Sequence, residues 1–220
     1  MSGLGLIGRR RAIASSPVKV KSLVKIYDRL VIKSGSYFVT DYSPCNYDRI
    51  CYRMNPSAYP SLLFGARKGM GVVALANNST TLFAAWESDA ATQITANLTN
   101  DIEREVGMIY HQGGYRAVYR GKNATDFVTL KTYSGTPAEA VSKVPLYIGV
   151  SLVLNSDYGI DTRYFQGTFY GLQVVDSRTG DMKHDFVPAI YDGADAGIYD
   201  RISGNFYYNS GTGEVIAENE

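Results

Sequence analysis

This 220-residue chain is short of most of the residues that catalysis and cross-linking use. It has two cysteines, two histidines and one tryptophan. Cys45 and Cys51 are too few for a disulfide framework, and they lack the His or Cys companions of a structural zinc site, so both are expected to be reduced and structural. His111 and His184 lie far apart, which removes an H-x-x-x-H pair, and no G-x-S-x-G elbow offers a nucleophilic serine. No apolar run reaches the roughly 18 residues of a membrane span. A secretory leader places positive charge before its apolar run, whereas here Gly3–Gly8 precedes the arginines; export by that route is not expected.

Charge is nearly balanced, at +1, but it is unevenly placed. Residues 1–27 carry six basic side chains (Arg9, Arg10, Arg11, Lys19, Lys21 and Lys25) and no acid. The remainder holds sixteen basic residues against twenty-one acidic ones, so a basic arm is joined to an acidic body. The first 23 residues show no steady period of 2 or 3.6 and read as an extended arm.

What the sequence has in quantity is tyrosine (18), phenylalanine (8) and glycine (22), a composition suited to strands and tight turns. From Val24 onward, short β-like runs such as "SYFVTDY", "RICYRM", "SLLFGAR", "GVVALA" and "TLFAAWE" follow one another, punctuated by Ser-Gly, Ser-Pro, Asn-Pro and Asn-Asn. "TPAEAVSK" (136–143) is the one stretch with a helical start signal, Thr136 as N-cap before Pro137. There is no repeat and no internal linker. The fold class expected is all-β, a two-sheet antiparallel sandwich, divided as arm 1–23, sandwich 24–215 and acidic tail 216–220.

Chemistry-bearing patterns are sparse. "GLGLIG" (3–8) matches G-x-G-x-x-G by letter, but no strand precedes it and no helical pattern follows, so a dinucleotide site is not expected. Gly3, Gly5 and Gly8 instead permit close backbone contact with a partner, while Arg9, Arg10, Arg11, Lys19 and Lys21 offer charge to acidic groups; these eight are the candidate docking residues. Glu103 and Glu105 share a strand face without a third carboxylate, which reads as a solvated surface rather than an acid–base pair. Asp157, Asp161, Asp192 and Asp195 lie in Gly-containing loops and could supply oxygens to calcium, but such loops read as turns in which Asp bonds nearby backbone, and no metal or other cofactor is expected. The sequons at Asn77, Asn78, Asn97 and Asn123 are expected to stay unmodified without export. Trp86, Tyr110, Tyr115 and Tyr119 are candidate platforms for a glycan, because such rings stack on a sugar face.

The order of phrases carries a resemblance. "SGSYFVTDYSPCNYDRICYRM", "SLLFGARKG", "YRAVYRGKNATDF", "VPLYIGVSLVLNSD" and above all "YFQGTFYGLQVVDSRTGDMKHDFVPAIYDGADAGIYDRISGNFYYNSGTG" resemble the laminin-G-like, concanavalin-type jelly-roll modules of tailed bacteriophages and Bacteroidetes genomes, over about residues 24–213. Within the last phrase, Gly167 and Gly171 suit bends, Pro188 suits a strand end or edge, Ser203-Gly204 suits a turn, Tyr199, Phe206 and Tyr208 are expected to alternate toward the interior, and Gly211 and Gly213 to release the chain. Such modules bind carbohydrate or are purely structural, and the glutamate–x–aspartate–x–x–glutamate signature of related glucanases is missing. "GLGLIGRRRA" resembles the starts of virion proteins of Bacteroides-infecting, crAss-like phages.

The resemblances imply a non-enzymatic virion component, a capsid-decorating or auxiliary protein made in the bacterial cytoplasm. It would dock through its arm on the major capsid or other virion proteins in many copies, with no membrane partner. The alternative is a carbohydrate-binding module for host-surface glycans.

Overall fold

A computed structural model of the chain describes residues 18–19, 23–68, 70–79, 81–86, 92–95, 103–111, 114–121, 128–133, 139–151 and 163–219. Among them every regular element is a strand. The first nine are β1 (Val18–Lys19), β2 (Val24–Ile26), β3 (Arg29–Ile32), β4 (Phe38–Val39), β5 (Asp48–Pro56), β6 (Ser61–Lys68), β7 (Met70–Asn78), β8 (Thr81–Trp86) and β9 (Thr92–Thr95). There follow β10 (Glu103–His111), β11 (Gly114–Gly121), β12 (Val128–Tyr133), β13 (Tyr147–Ile148), β14 (Gly167–Asp176), β15 (Met182–Tyr191), β16 (Asp195–Asp200), β17 (Asn205–Tyr208) and β18 (Val215–Glu218).

Two antiparallel sheets form a sandwich. The larger has 12 strands in the order β1-β17-β16-β15-β14-β5-β10-β11-β12, with β2 added to β15, β3 to β14 and β18 to β3. The smaller has 6, in the order β4-β13-β6-β7-β8-β9. Alternation explains which face each strand buries. On β5, Ile50, Tyr52 and Met54 point inward, and on β14 Phe169, Leu172 and Val174 do the same. Opposite them, β6–β8 supply Phe64, Ala66, Ala74, Ala76, Leu82 and Ala84. Tyr52 and Phe64 meet edge-on across the layers with centroids 5.1 Å apart. Each fully buried ring such as Phe38, Phe169 or Phe186 contributes about 1.5–3 kcal/mol by leaving water.

The large sheet forks. β14 runs beside β15 at Leu172–Val175, but at Gly167–Phe169 it pairs with β3 instead. β15, after Phe186, continues along β16 and takes up β2 at Ala189–Tyr191. Pro188 sits at this fork, inside β15, and does not end or edge the strand as its residue type suggested. Its carbonyl accepts the Tyr27 N–H, so its ring nitrogen faces Tyr27, just past the end of β2, and the ladder between β2 and β15 stops at Ala189.

Three further expectations are corrected. In "TPAEAVSK", residues 136–138 lie outside the described residues, and the described part is not helical: Val141 bridges Cys45, and the Ala140 carbonyl takes the Asn46 N–H. Tyr199, Phe206 and Tyr208 face away from the main core, into a second cluster with Val187, Ala189, Val24 and Tyr191; Ile198 and Tyr207 are the inward residues. Apolar side chains occupy both faces of these strands, and the inward register is set by Tyr207, whose hydroxyl donates to Asp41. Gly211 and Gly213 do not release the chain. They thread it against the Gly35 turn, and residues 215–218, read from sequence as part body and part tail, form β18 on β3.

Candidate functional site

At the fork, the outward face of the large sheet opens into a cleft of about 240 Å³ lined by β5, β14, β15 and Arg201. Period-2 alternation places Cys51 and Arg53 on the side opposite inward Tyr52, and Gln173 opposite inward Leu172 and Val174. The floor is Gly171, at a register shift between Phe169 and Gly171. A bulge with no side chain there leaves room that any larger residue would fill.

The polar wall is tightly tied. Asp185 accepts from Gln173 Nε2 at 3.1 Å on Oδ1, and from Arg201 Nε at 2.6 Å on Oδ2. Arg201 Nη2 lies 2.5 Å from the same Oδ2, a two-pronged grip on one carboxylate. The Asp185 side chain is 9% exposed and that of Arg201 53%, so the carboxylate is held from within and the guanidinium reaches solvent. On the other wall, the Arg53 guanidinium lies 5.0 Å from the centroid of the Tyr170 ring. The cleft therefore combines one aromatic ring, an amide, a carboxylate and guanidinium groups, which together stack on a ring face and exchange hydrogen bonds with hydroxyls.

Immediately beneath, Asp200 accepts the Asp185 N–H at 2.9 Å and the Ile202 N–H at 3.0 Å, and meets His184 Nδ1 at 2.7 Å. Burial opposes the Asp200 charge, but His184 and these N–H donors outweigh it, holding its pKa well below the usual carboxylate range.

Of the docking residues read from sequence, Gly3, Gly5, Gly8, Arg9, Arg10, Arg11 and Lys21 lie outside the described residues. Lys19 lies in β1 and pairs with Asn205 of β17, at the edge of the large sheet. Of the glycan candidates, Tyr110 and Tyr115 are register partners on β10 and β11, and Tyr119 is opposite Val106. Trp86 belongs to the smaller sheet, opposite Val72, so the four are not one platform in the strand order. Glu103 and Glu105 are the register partners of Arg53 and Cys51. Asp192 and Asp195 flank a turn; Asp157 and Asp161 lie outside the described residues. Cys45 and Cys51 form no disulfide. The cleft residues Arg53, Tyr170, Gln173, Asp185 and Arg201 were not singled out from sequence, where only Gly167 and Gly171 hinted at an irregular strand.

No protein-family model matches the chain, and no curated protein matches it. Among solved structures, the heptameric SAP-like pentraxin of Limulus polyphemus is similar at 13% identity and a TM-score of 0.47, covering 70% of this chain and 76% of that one. Domains LG4-5 of the mouse laminin α1 chain are similar at 13% identity and a TM-score of 0.40, covering 81% of this chain and 48% of that one. The two-sheet sandwich rests on the strand pairing itself.

Proposed function

We propose that the chain is a non-enzymatic display module of laminin-G-like type, a decoration or auxiliary protein of a bacteriophage virion that docks on capsid or tail proteins through residues 1–23. The observation that supports this reading is the rooting of β1 on β17. Val18 and Lys19 pair with Phe206 and Asn205 at the edge of the large sheet, with β17 and β16 between β1 and the cleft strands β15, β14 and β5. An arm of Arg9, Arg10 and Arg11 rooted there meets acidic neighbours while leaving the sandwich outside. Deleting residues 1–17 spares β1 and the body. Occupancy on purified particles is expected to fall at least tenfold, as about 1.4 kcal/mol of lost docking energy already gives; undiminished occupancy overturns the reading.

A second reading, that the body binds host-surface glycans, is favoured by the cleft. Tyr170 with Arg53 offers a ring to stack on, and Gln173, Asp185 and Arg201 offer fixed donors and acceptors to sugar hydroxyls. Both Asp185 oxygens are already engaged by these neighbours, which suits recognition rather than proton transfer. A glycan array on the full chain, repeated with Tyr170→Ala and Arg201→Ala, is the test. Saturable binding lost in both variants supports it, and binding that both variants retain overturns it.

A further inference from the structure

At one end of the core, under the loop that leads into β5, three charged side chains from three neighbouring strands meet. Asp48 opens β5, Asp176 closes β14 as its register partner, and Lys183 is the additional residue where the β14–β15 register shifts between Val174 and Val175. Lys183 Nζ lies 2.8 Å from Asp48 Oδ1 and 3.3 Å from Asp176 Oδ2. The Asp48 side chain is 0% exposed, that of Asp176 8% and that of Lys183 27%.

The two carboxylates are held differently. The second oxygen of Asp48, Oδ2, accepts the Tyr42 hydroxyl and the Cys45 N–H, the latter at 2.6 Å. Asp176 is gripped by Arg178, whose Nη2 is 2.8 Å from Oδ2 and whose Nε is 3.1 Å from Oδ1. The Arg178 bonds keep Asp176 ionised, with its pKa well below the usual range, and its Oδ2 lies within reach of the amine protons. Asp48 has one oxygen turned to the amine and the other turned to two donors, which is the arrangement that stabilises charge developing on a carbonyl oxygen.

We propose that Lys183 and Asp48 condense into an intramolecular amide bond that staples β15 to β5 across β14, with Asp176 as the proton shuttle. In the resting pair, burial opposes the Lys183 ammonium but Asp48 and Asp176 outweigh it, so its pKa is raised and the reaction starts from the ion pair. One Nζ proton passes to Asp48 Oδ1, leaving a neutral amine beside a neutral acid. The nitrogen lone pair then attacks Cγ while Tyr42 and the Cys45 N–H hold Oδ2. A second Nζ proton moves to Asp176 and from there to the departing hydroxyl. One C–N bond forms, one C–O bond breaks, one water leaves, and Asp176 regains its charge without any oxidant or reductant. Condensing a free acid and amine in water is not favourable, but well-oriented partners gain an effective molarity of about 10⁵–10⁸ M, and full burial of Asp48 keeps water from the amide once made.

Mass spectrometry of the full-length purified chain tests this directly. The intact mass is expected to be one water below the sequence mass. Trypsin is expected to release a branched peptide joining residues 34–49 to residues 179–201, because acylated Lys183 is not cleaved. Lys183→Arg, which keeps the ion pair but cannot condense, is expected to show its full mass, as is Asp176→Asn when circular dichroism shows it folded. A wild-type chain at full sequence mass, releasing 34–49 and 179–183 as separate peptides, overturns the bond. Loss of water persisting in folded Asp176→Asn overturns the shuttle.

Discussion

His184 Nδ1 and Asp200 Oδ2 lie 2.7 Å apart beneath the cleft, with the imidazole parallel to the Phe186 ring at 5.4 Å and tilted against Tyr42 at 4.2 Å. This pair ties β15, which carries Asp185, to the last residue of β16, next to Arg201 in the turn that follows.

Asp200 has a lowered folded pKa, so its contribution to stability is fully present above the ordinary carboxylate pKa and is lost as pH falls through the folded value. Urea midpoints are expected to drop below about pH 5. Asp200→Asn is expected to cost about 2–3 kcal/mol at pH 7 and to flatten the acid limb. An unchanged acid limb in the variant would place the sensitivity elsewhere.

Phe186 is fully buried between the His184 ring and Tyr207, whose centroid is 5.8 Å away. Phe186→Ala is expected to cost about 3–5 kcal/mol in chemical denaturation, the transfer term plus the cavity left behind.

Tyr207 donates its hydroxyl to Asp41, whose other oxygen accepts from Asn205 Nδ2 at 2.7 Å. Tyr207→Phe keeps the ring but removes its hydrogen bond to Asp41, an exposed residue, at a cost of about 0.5–1.5 kcal/mol. Tyr208→Phe, on the opposite face, is expected to cost less than about 0.5 kcal/mol. Equal losses from the two would contradict the register.

A Cβ on Gly211 would lie 2.9 Å from the Gly35 carbonyl carbon and 3.0 Å from Ser36 Cα, backbone that has no room to yield. Asn209 also knits this turn, donating to the Gly213 carbonyl at 2.7 Å and accepting the Gly211 N–H at 2.9 Å. Gly211→Ala is expected to lower the melting temperature by more than about 2–4 °C, as a loss of more than about 1 kcal/mol does in a chain of this size.

Among the described residues the all-β reading of the sequence holds, because runs such as "RICYRM" alternate sharply enough to name their inward face. That clarity fails at β16 and β17. Ile198 and Tyr199, or Phe206 and Tyr207, are equally apolar neighbours, and which one faces the main core depends on a distant acceptor, Asp41. The cleft was illegible for a different reason. Arg53, Tyr170, Gln173, Asp185 and Arg201 come from separate stretches, and only the β5-β14-β15 adjacency and the shift at Gly171 bring them together. Pro188 shows the same limit: its type argues for an edge, and only the fork explains how an interior position accepts it.

The pairing of β18 with β3 sets a timetable for synthesis. Val215–Glu218 cover a strand that emerged from the ribosome about 180 residues earlier, and the Asn209 turn closes over Gly35 at the same late moment. Until then β3 and the turn after it wait with an open edge, so the nascent body stays exposed to mispairing and to chaperones until Val215–Glu218 are made, and its folding is governed by sequence-distant contacts rather than by local ones.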